Sequence, residues 1–153
     1  MRKPKKHEAL LWSIALPGFG QFLNRRIVKG IVLIFIEFLV NVQSNFNLAI
    51  IYSFTGEIKK AVEVTEYQWL MFYPCLYMFA MWDAYCDAEG ETTSLSYLPF
   101  VFGAFFVTVG LIYSAKLKIF GLLFGPVFLP IVFLVPGLIV GSLIHKALLI
   151  TKP

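Results

Sequence analysis

Charge is what this sequence has least of. Only 14% of its 153 residues are Asp, Glu, Lys or Arg, against about 25% in an ordinary soluble domain. A soluble domain of this length needs more polar surface to cover its core. Histidine is nearly missing, with His7 and His145 near opposite ends. There is no H-E-x-x-H, no G-x-S-x-G and no Walker A pattern, and Ser, Thr and acidic residues do not gather around a base. These shortages argue against an enzyme, and no cofactor or metal is expected. Cysteine is limited to Cys75 and Cys86, eleven residues apart in one apolar run. A helix over that interval rises ~16 Å, too far for a disulfide. The spacing is not that of a metal knuckle either, so both read as core or lipid-facing thiols.

What is present is apolar. Hydrophobic residues make up 59% of the chain, and the mean hydropathy is +0.78. That excludes a secreted disulfide scaffold, a disordered tail and a free nucleic-acid-binding domain. The net charge of +4 sits on residues flanking apolar segments, where topology and anionic lipid explain it better than nucleic acid does. The length allows one membrane domain, residues 1–153, with no separate soluble domain. The N-terminus resembles a signal peptide, with a basic start and an apolar run. No A-x-A-like cleavage site follows, so the segment is expected to be retained.

A crossing of the hydrocarbon core needs about 20 apolar residues. Four stretches qualify: 30–52, 67–85, 97–115 and 119–150. The last is interrupted by Pro126, Pro130 and Pro136. It reads as a broken or kinked helix, as a short apolar lead-in before one helix, or as two short helices. Residues 9–23 are too short for a crossing and carry Pro17-Gly18-Phe19-Gly20 in their middle, so they read as a re-entrant or interfacial segment. Basic residues give a test. With four crossings, Arg2, Lys3, Lys5, Lys6, Arg25, Arg26, Lys29, Lys146 and Lys152 are cytoplasmic, nine of 13. With five, the split is eight to five. Either way the N-terminus is cytoplasmic. The loop 53–66 carries a mildly amphipathic stretch, read as an interfacial helix with Ile58, Ala61, Val62 and Val64 towards lipid. An acidic turn, residues 87–91, follows the second crossing.

Glu37 is the most out-of-place residue. Helical spacing puts Glu37, Asn41, Ser44 and Asn45 on one face. Lipid cannot hydrogen-bond to such a stripe, so it should face protein or water. Two readings follow: hydrogen bonding between helices that fixes packing, or a pathway for an ion or polar solute. Asp83 lies near the cytoplasmic end of the second crossing. Arg25, Arg26 and Lys29 start the preceding one on the same side, and Arg suits bidentate carboxylate pairing better than Lys. An ion pair from Asp83 to Arg25 or Arg26 is therefore expected. Trp69 and Trp82, near opposite ends of 67–85, read as interfacial anchors, or else as part of an aromatic-lined pocket. Gly121 with Gly125, and Gly137 with Gly141, are spaced for close helix approach.

The run Pro17-Gly18-Phe19-Gly20-Gln21, then Gly30, then Trp82-Asp83-Ala84-Tyr85, resembles the TM2-domain-like small bacterial integral membrane proteins. Those have a PGxGQ turn, a glycine about ten residues on, an apolar helix and an Asp-Ala-Tyr-type motif ending a second helix. The likeness covers residues 9–90, leaving 97–150 as a C-terminal helical part. Asn24-Arg25-Arg26 stands where such proteins often have a glycine, and the gap between the helices is longer. The resemblance implies architecture and carries no activity. The expected protein is an all-α, polytopic bundle of about four crossings plus the N-terminal segment, in the bacterial cytoplasmic membrane. Its expected role is that of a non-enzymatic component or scaffold of a larger assembly, with the bilayer and a membrane-protein partner or second copy as its contacts. A small transporter or channel subunit using the Glu37 stripe is the alternative.

Overall fold

A computed structural model describes residues 3–150. Arg2 and Lys152, assigned to the cytoplasmic side above, lie outside the described residues. Helix makes up 74% of the described residues, which places the chain in the all-α class.

The chain begins with a helical hairpin. Helix α1, Lys6–Ala15, stops before Pro17, which has no N–H to continue it. Gly18 then turns the chain at φ 107°, a conformation open to glycine, into the short α2, Phe19–Leu23. Both pack on α7, Tyr73–Asp87. At one end of α1, the Glu89 N–H donates to Pro4 O at 3.0 Å. At the other, the Tyr77 hydroxyl donates to Ile14 O. Helix α1 thus runs antiparallel to α7. After the turn, α2 comes back along it, and Arg26 reaches Asp87 at 3.1 Å. The hairpin therefore starts and finishes at the same end of α7. Small residues make the fit possible: Ala9, Ala84 and Ala88 form a buried cluster.

Helix α3, Ile27–Gln43, ends sooner than the sequence implied. Residues 30–52 do not form one straight helix. The chain bends by 66° into α4, Phe46–Phe54, with Asn45 left-handed at φ 56°, a conformation asparagine tolerates. The groups freed by the break are satisfied from the next connection. Ser44 O accepts from the Glu66 N–H at 3.0 Å, and Asn45 Nδ2 donates to Val64 O at 3.2 Å. Helix α5, Ile58–Val64, corrects the expected lipid-facing segment. Its Ala61 is fully buried, and Ile58 lies so close over Gly125 that a Cβ there would stand 2.8 Å from its Cγ2. The apolar face of α5 is used within the protein. The stretch 67–85 is also divided, into the single turn α6, Tyr67–Leu70, and α7, because Pro74 in the first turn of α7 cannot extend an earlier helix.

Helix α8, Leu98–Tyr113, and helix α9, Gly125–Ile150, form an antiparallel pair. A Cβ on Gly141 would stand 2.6 Å from Pro99 Cα, and one on Gly137 2.8 Å from Phe102 O, so this pair of glycines does bring two backbones together. Gly121 does not. It sits at φ 81° beside Phe120 at φ 52°, in the turn between β1, Lys118–Ile119, and β2, Leu122–Leu123. The apolar lead-in to the last helix is thus a small hairpin, and α9 is one helix that contains Pro130 and Pro136.

Polar residues share the interior with apolar ones such as Leu70, Leu111 and Leu129, and many large apolar side chains lie outside. Ser13, Gln21, Asn24, Glu37, Asn41, Ser44, Ser53, Thr65 and Ser114 are buried, while Val28, Ile31, Phe35, Phe38, Ile131, Val135, Ile139 and Leu143 are exposed. By length and composition α9 could cross a membrane, and so could α3 with α4 if the bent pair is one crossing.

Candidate functional site

The polar residues that the fold gathers form two groups, one on each half of the contact between α3 and α7. The first is a clasp where the N-terminal hairpin meets the last turns of α7. Gln21 is fully buried, and its Nε2 donates to Ala80 O at 2.8 Å and to Asp83 Oδ2 at 3.0 Å. One turn further, Asn24 Nδ2 donates to Ala84 O at 2.7 Å. These two amides hold a helix by its carbonyl oxygens, a surface with no side-chain specificity of its own. The glycines set the distance. A Cβ on Gly20 would lie 2.2 Å from Ser13 Oγ, 2.7 Å from Ala84 Cβ and 2.7 Å from Ala9 O. One on Gly30 would meet the Phe22 ring at 2.6 Å and Gly18 O at 3.0 Å. Pro17, Gly18, Gly20, Gln21 and Gly30 thus form one packing unit between α2, α3 and α7.

The charges in the clasp differ from the expected ones. Asp83 pairs with Lys29 at 2.6 Å, and Asp87 with both Arg26 at 3.1 Å and Lys29 at 3.2 Å. The expected bond from Asp83 to Arg25 or Arg26 is not made. Arg25 occupies a left-handed turn at φ 61° and Arg26 precedes the first turn of α3, which brings its guanidinium level with Asp87. Lys29, inside that turn, is the residue opposite Asp83. Sequence reasoning placed Lys29 at this boundary but passed it over as the partner of Asp83, and it missed the roles of Asp87, Asn24 and the carbonyls of Ala80 and Ala84. The four-residue spacing of Asp83 and Asp87, which puts both on one face, was the available signal.

The charges of the clasp are expected to make its stability respond to acid. Burial alone pushes the Asp87 carboxyl up, but hydrogen bonds from Arg26 and Lys29 outweigh it and hold the group below the usual carboxylate range. The hydrogen bond to Asp83 raises Lys29, against an opposing effect of burial. A depressed acid stabilises the fold above its unfolded value, about 4, and loses that contribution as pH falls through the folded value; a raised lysine contributes below about 10.4 and is lost above it. The melting-temperature advantage of the parent over Asp87→Asn is therefore expected to be flat from about pH 5 to 9 and to vanish on acidification below about pH 4. An advantage unchanged at that acidity rejects the ion-pair origin.

The second group surrounds Glu37, of which 8% is exposed. The Tyr73 hydroxyl donates to Glu37 Oε1 at 3.2 Å, and Asn41 Nδ2 lies 3.5 Å from the same oxygen. Asn41 Oδ1 is buried without a partner. Ser44 Oγ donates to Asn41 O at 3.2 Å. The Tyr73 ring is held by Phe46 at 4.9 Å and Tyr77 at 5.4 Å. Glu37, Asn41 and Ser44 are thus buried together. Asn45 is not part of the stripe, because α3 ends at Gln43 and the bend swings Asn45 out to Val64. Chemically the group is a tie between α3 and α7. Glu37 lines neither of two apolar grooves, the one between α7 and α8 or the shallow one beside Phe22, Ile34 and Phe38. Among the described residues no cluster of three His, Cys, Asp or Glu could hold a metal ion.

Compared with known proteins, the chain matches no family model, no curated protein and no solved structure.

Proposed function

We propose that the chain is a non-enzymatic, multi-pass component of the bacterial cytoplasmic membrane, a scaffold or partner within a larger assembly. In this reading α3 with α4, α6 with α7, α8 and α9 make four crossings. The hairpin of α1 and α2 is re-entrant, the N-terminus is cytoplasmic, and residues 9–90 form a TM2-like unit. The apolar outer surface carries the proposal: many large apolar side chains of α3 and α9 face outward, which lipid favours and water does not. The hairpin returning to one end of α7 supports its re-entrant course, and the basic residues Lys5, Lys6, Arg26 and Lys29 gathered there agree with a cytoplasmic face.

The internal polar groups support a packing role over a chemical one. The Gln21 and Asn24 amide N–H groups donate to carbonyls of α7, and Glu37 accepts from the Tyr73 hydroxyl. Such bonds between helices fix geometry, at about 0.6 kcal/mol each on average. The outer surface then remains as the part that meets partners. Alkaline carbonate extraction of cell membranes tests the membrane half of the proposal. The protein should stay in the pellet, and its release into the supernatant would contradict four crossings.

A further inference from the structure

We infer that the hairpin between α8 and α9 dips into the bilayer at its outer headgroup boundary. Phe120 and Leu122 enter the tops of the acyl chains, and Lys116 and Lys118 sit beside the phosphates of anionic phospholipid. The inference rests on the membrane reading above and adds a lipid-contacting element to it. At the tip, Phe120 is 98% exposed and Leu122 is 66% exposed. Lys118 pairs with Leu123 and Ile119 with Leu122, so Phe120 and Gly121 are the two residues of the turn. Both have positive φ, 52° and 81°. A tight hairpin turn asks for that, and Asn, Asp or Gly ordinarily fills its first place. Phenylalanine fits there poorly. A Cβ on Gly121 would find nothing within 4 Å, so the tip stands clear of the other described residues. Phe120 thus serves neither the turn nor the core, and its apolar surface is left for something outside the chain.

Two further observations point to lipid as what covers it. The first is length. Helix α8 has 16 residues, a rise of ~24 Å against a hydrocarbon core of ~30 Å. A crossing that is too short is made up by the residues flanking it. Before α8 the flank is polar, Glu91-Thr92-Thr93-Ser94. After it, seven of the ten residues 115–124 are apolar and none is acidic. The missing apolar length therefore lies on the hairpin's side. The second is charge. Lys116 and Lys118 are exposed, and neither forms an ion pair among the described residues. Two such cations flanking an apolar tip match anionic headgroups above acyl chains. The reach also fits. From Leu117 to Phe120 a strand rises ~10 Å, enough to cross a headgroup layer of about 5–8 Å. Pairing of β1 with β2 takes up backbone groups that acyl chains could not satisfy.

The test uses the full chain in vesicles of equal parts phosphatidylcholine and phosphatidylglycerol, with acyl chains brominated near the ester. Trp12, Trp69 and Trp82 are changed to Phe. One reporter then carries Phe120→Trp as its sole tryptophan. A second carries Phe35→Trp, on the exposed face of α3. An inserted tip predicts that the Phe120→Trp reporter is quenched by brominated lipid and shielded from acrylamide in the water. It also predicts severalfold weaker lipid quenching when Lys116→Gln and Lys118→Gln are added. A tip open to acrylamide and unquenched by lipid, beside a lipid-quenched α3 reporter, overturns the insertion and leaves the membrane reading standing. If lipid quenches neither reporter, the membrane reading falls and the lipid contact with it. A tip shielded from both quenchers, with the shielding lost when the protein is diluted in lipid, is covered by a second copy, and that also overturns the inference. Unchanged quenching in the double glutamine variant rejects the pairing with anionic lipid. Should Phe120→Trp fail to fold, Leu122→Trp reads the same depth.

Discussion

Gly20→Ala is expected to destabilise the protein by roughly 1–3 kcal/mol, and Gly20→Leu to detach the N-terminal hairpin from α7. The added Cβ meets three atoms at once. Ser13 Oγ, at 2.2 Å, can rotate away. Ala9 O and Ala84 Cβ, both at 2.7 Å, are fixed to α1 and α7, so the helices themselves must part. Parting them weakens the bonds from Gln21 to Ala80 O and from Asn24 to Ala84 O, at 2.8 and 2.7 Å. The loss therefore spreads from one methyl group to the whole clasp. A compensating change is available. Ala84→Gly removes one of the two rigid contacts and should restore part of the stability lost in Gly20→Ala. Thermal melting of the four proteins in detergent gives the coupling directly. An additive cycle would mean that Gly20 and Ala84 do not share a contact.

Glu37→Ala and Glu37→Gln should differ strongly. Alanine leaves the Tyr73 hydroxyl without its buried acceptor and opens a gap beside Asn41, at an expected cost of about 1–3 kcal/mol. Glutamine keeps an oxygen for Tyr73 and a similar volume, so its cost should stay below about 1 kcal/mol. The same pair separates packing from transport. A tie between α3 and α7 predicts that Glu37→Gln folds normally and supports growth of a strain that depends on the protein. A proton- or cation-coupled role predicts a folded, inactive Glu37→Gln, because the amide cannot carry the charge. Equal destabilisation by both substitutions would contradict the packing role, since it would leave the retained oxygen without effect.

The helical class was legible in the sequence, but the interruptions of the apolar segments were not. The reason is that segment hydropathy is local and the breaks are not. The bend at Ser44 and Asn45 depends on Glu66 and Val64 supplying partners to the opened backbone, and nothing within 30–52 encodes that. For the same reason Glu37, Asn41 and Ser44 lie buried together while Asn45, expected on the same face, is exposed. The lead-in to α9 was read as apolar sequence of uncertain form, and its turn turned out to be Phe120-Gly121 closing two-residue strands. In the clasp, the motif Pro17, Gly18, Gly20, Gln21 and Gly30 was visible as a set, whereas Asp83 and Asp87 were not read as one face of α7. Preference for arginine over lysine misassigned the partner of Asp83, because reach from the first turn of α3 mattered more than guanidinium geometry. The groove beside Trp82 was weighed only as a pocket less favoured than anchoring. Periodicity cannot reveal whether two aromatic helix faces close on each other or diverge.

The re-entrant course of the N-terminal hairpin is tested most directly by cysteine accessibility in intact cells. Single cysteines replace Lys5, Lys59, Glu91 or Lys118, all exposed, in a background with Cys75 and Cys86 changed to Ala. A membrane-impermeant maleimide is applied before and after permeabilisation. If the hairpin enters and leaves on one side, positions 5 and 91 react only after permeabilisation, and positions 59 and 118 react from outside. If residues 9–23 cross instead, positions 5 and 91 fall on opposite sides of the membrane, and positions 5 and 118 share one side. That second pattern would contradict both the four crossings and the packing of α1 and α2 along a single end of α7.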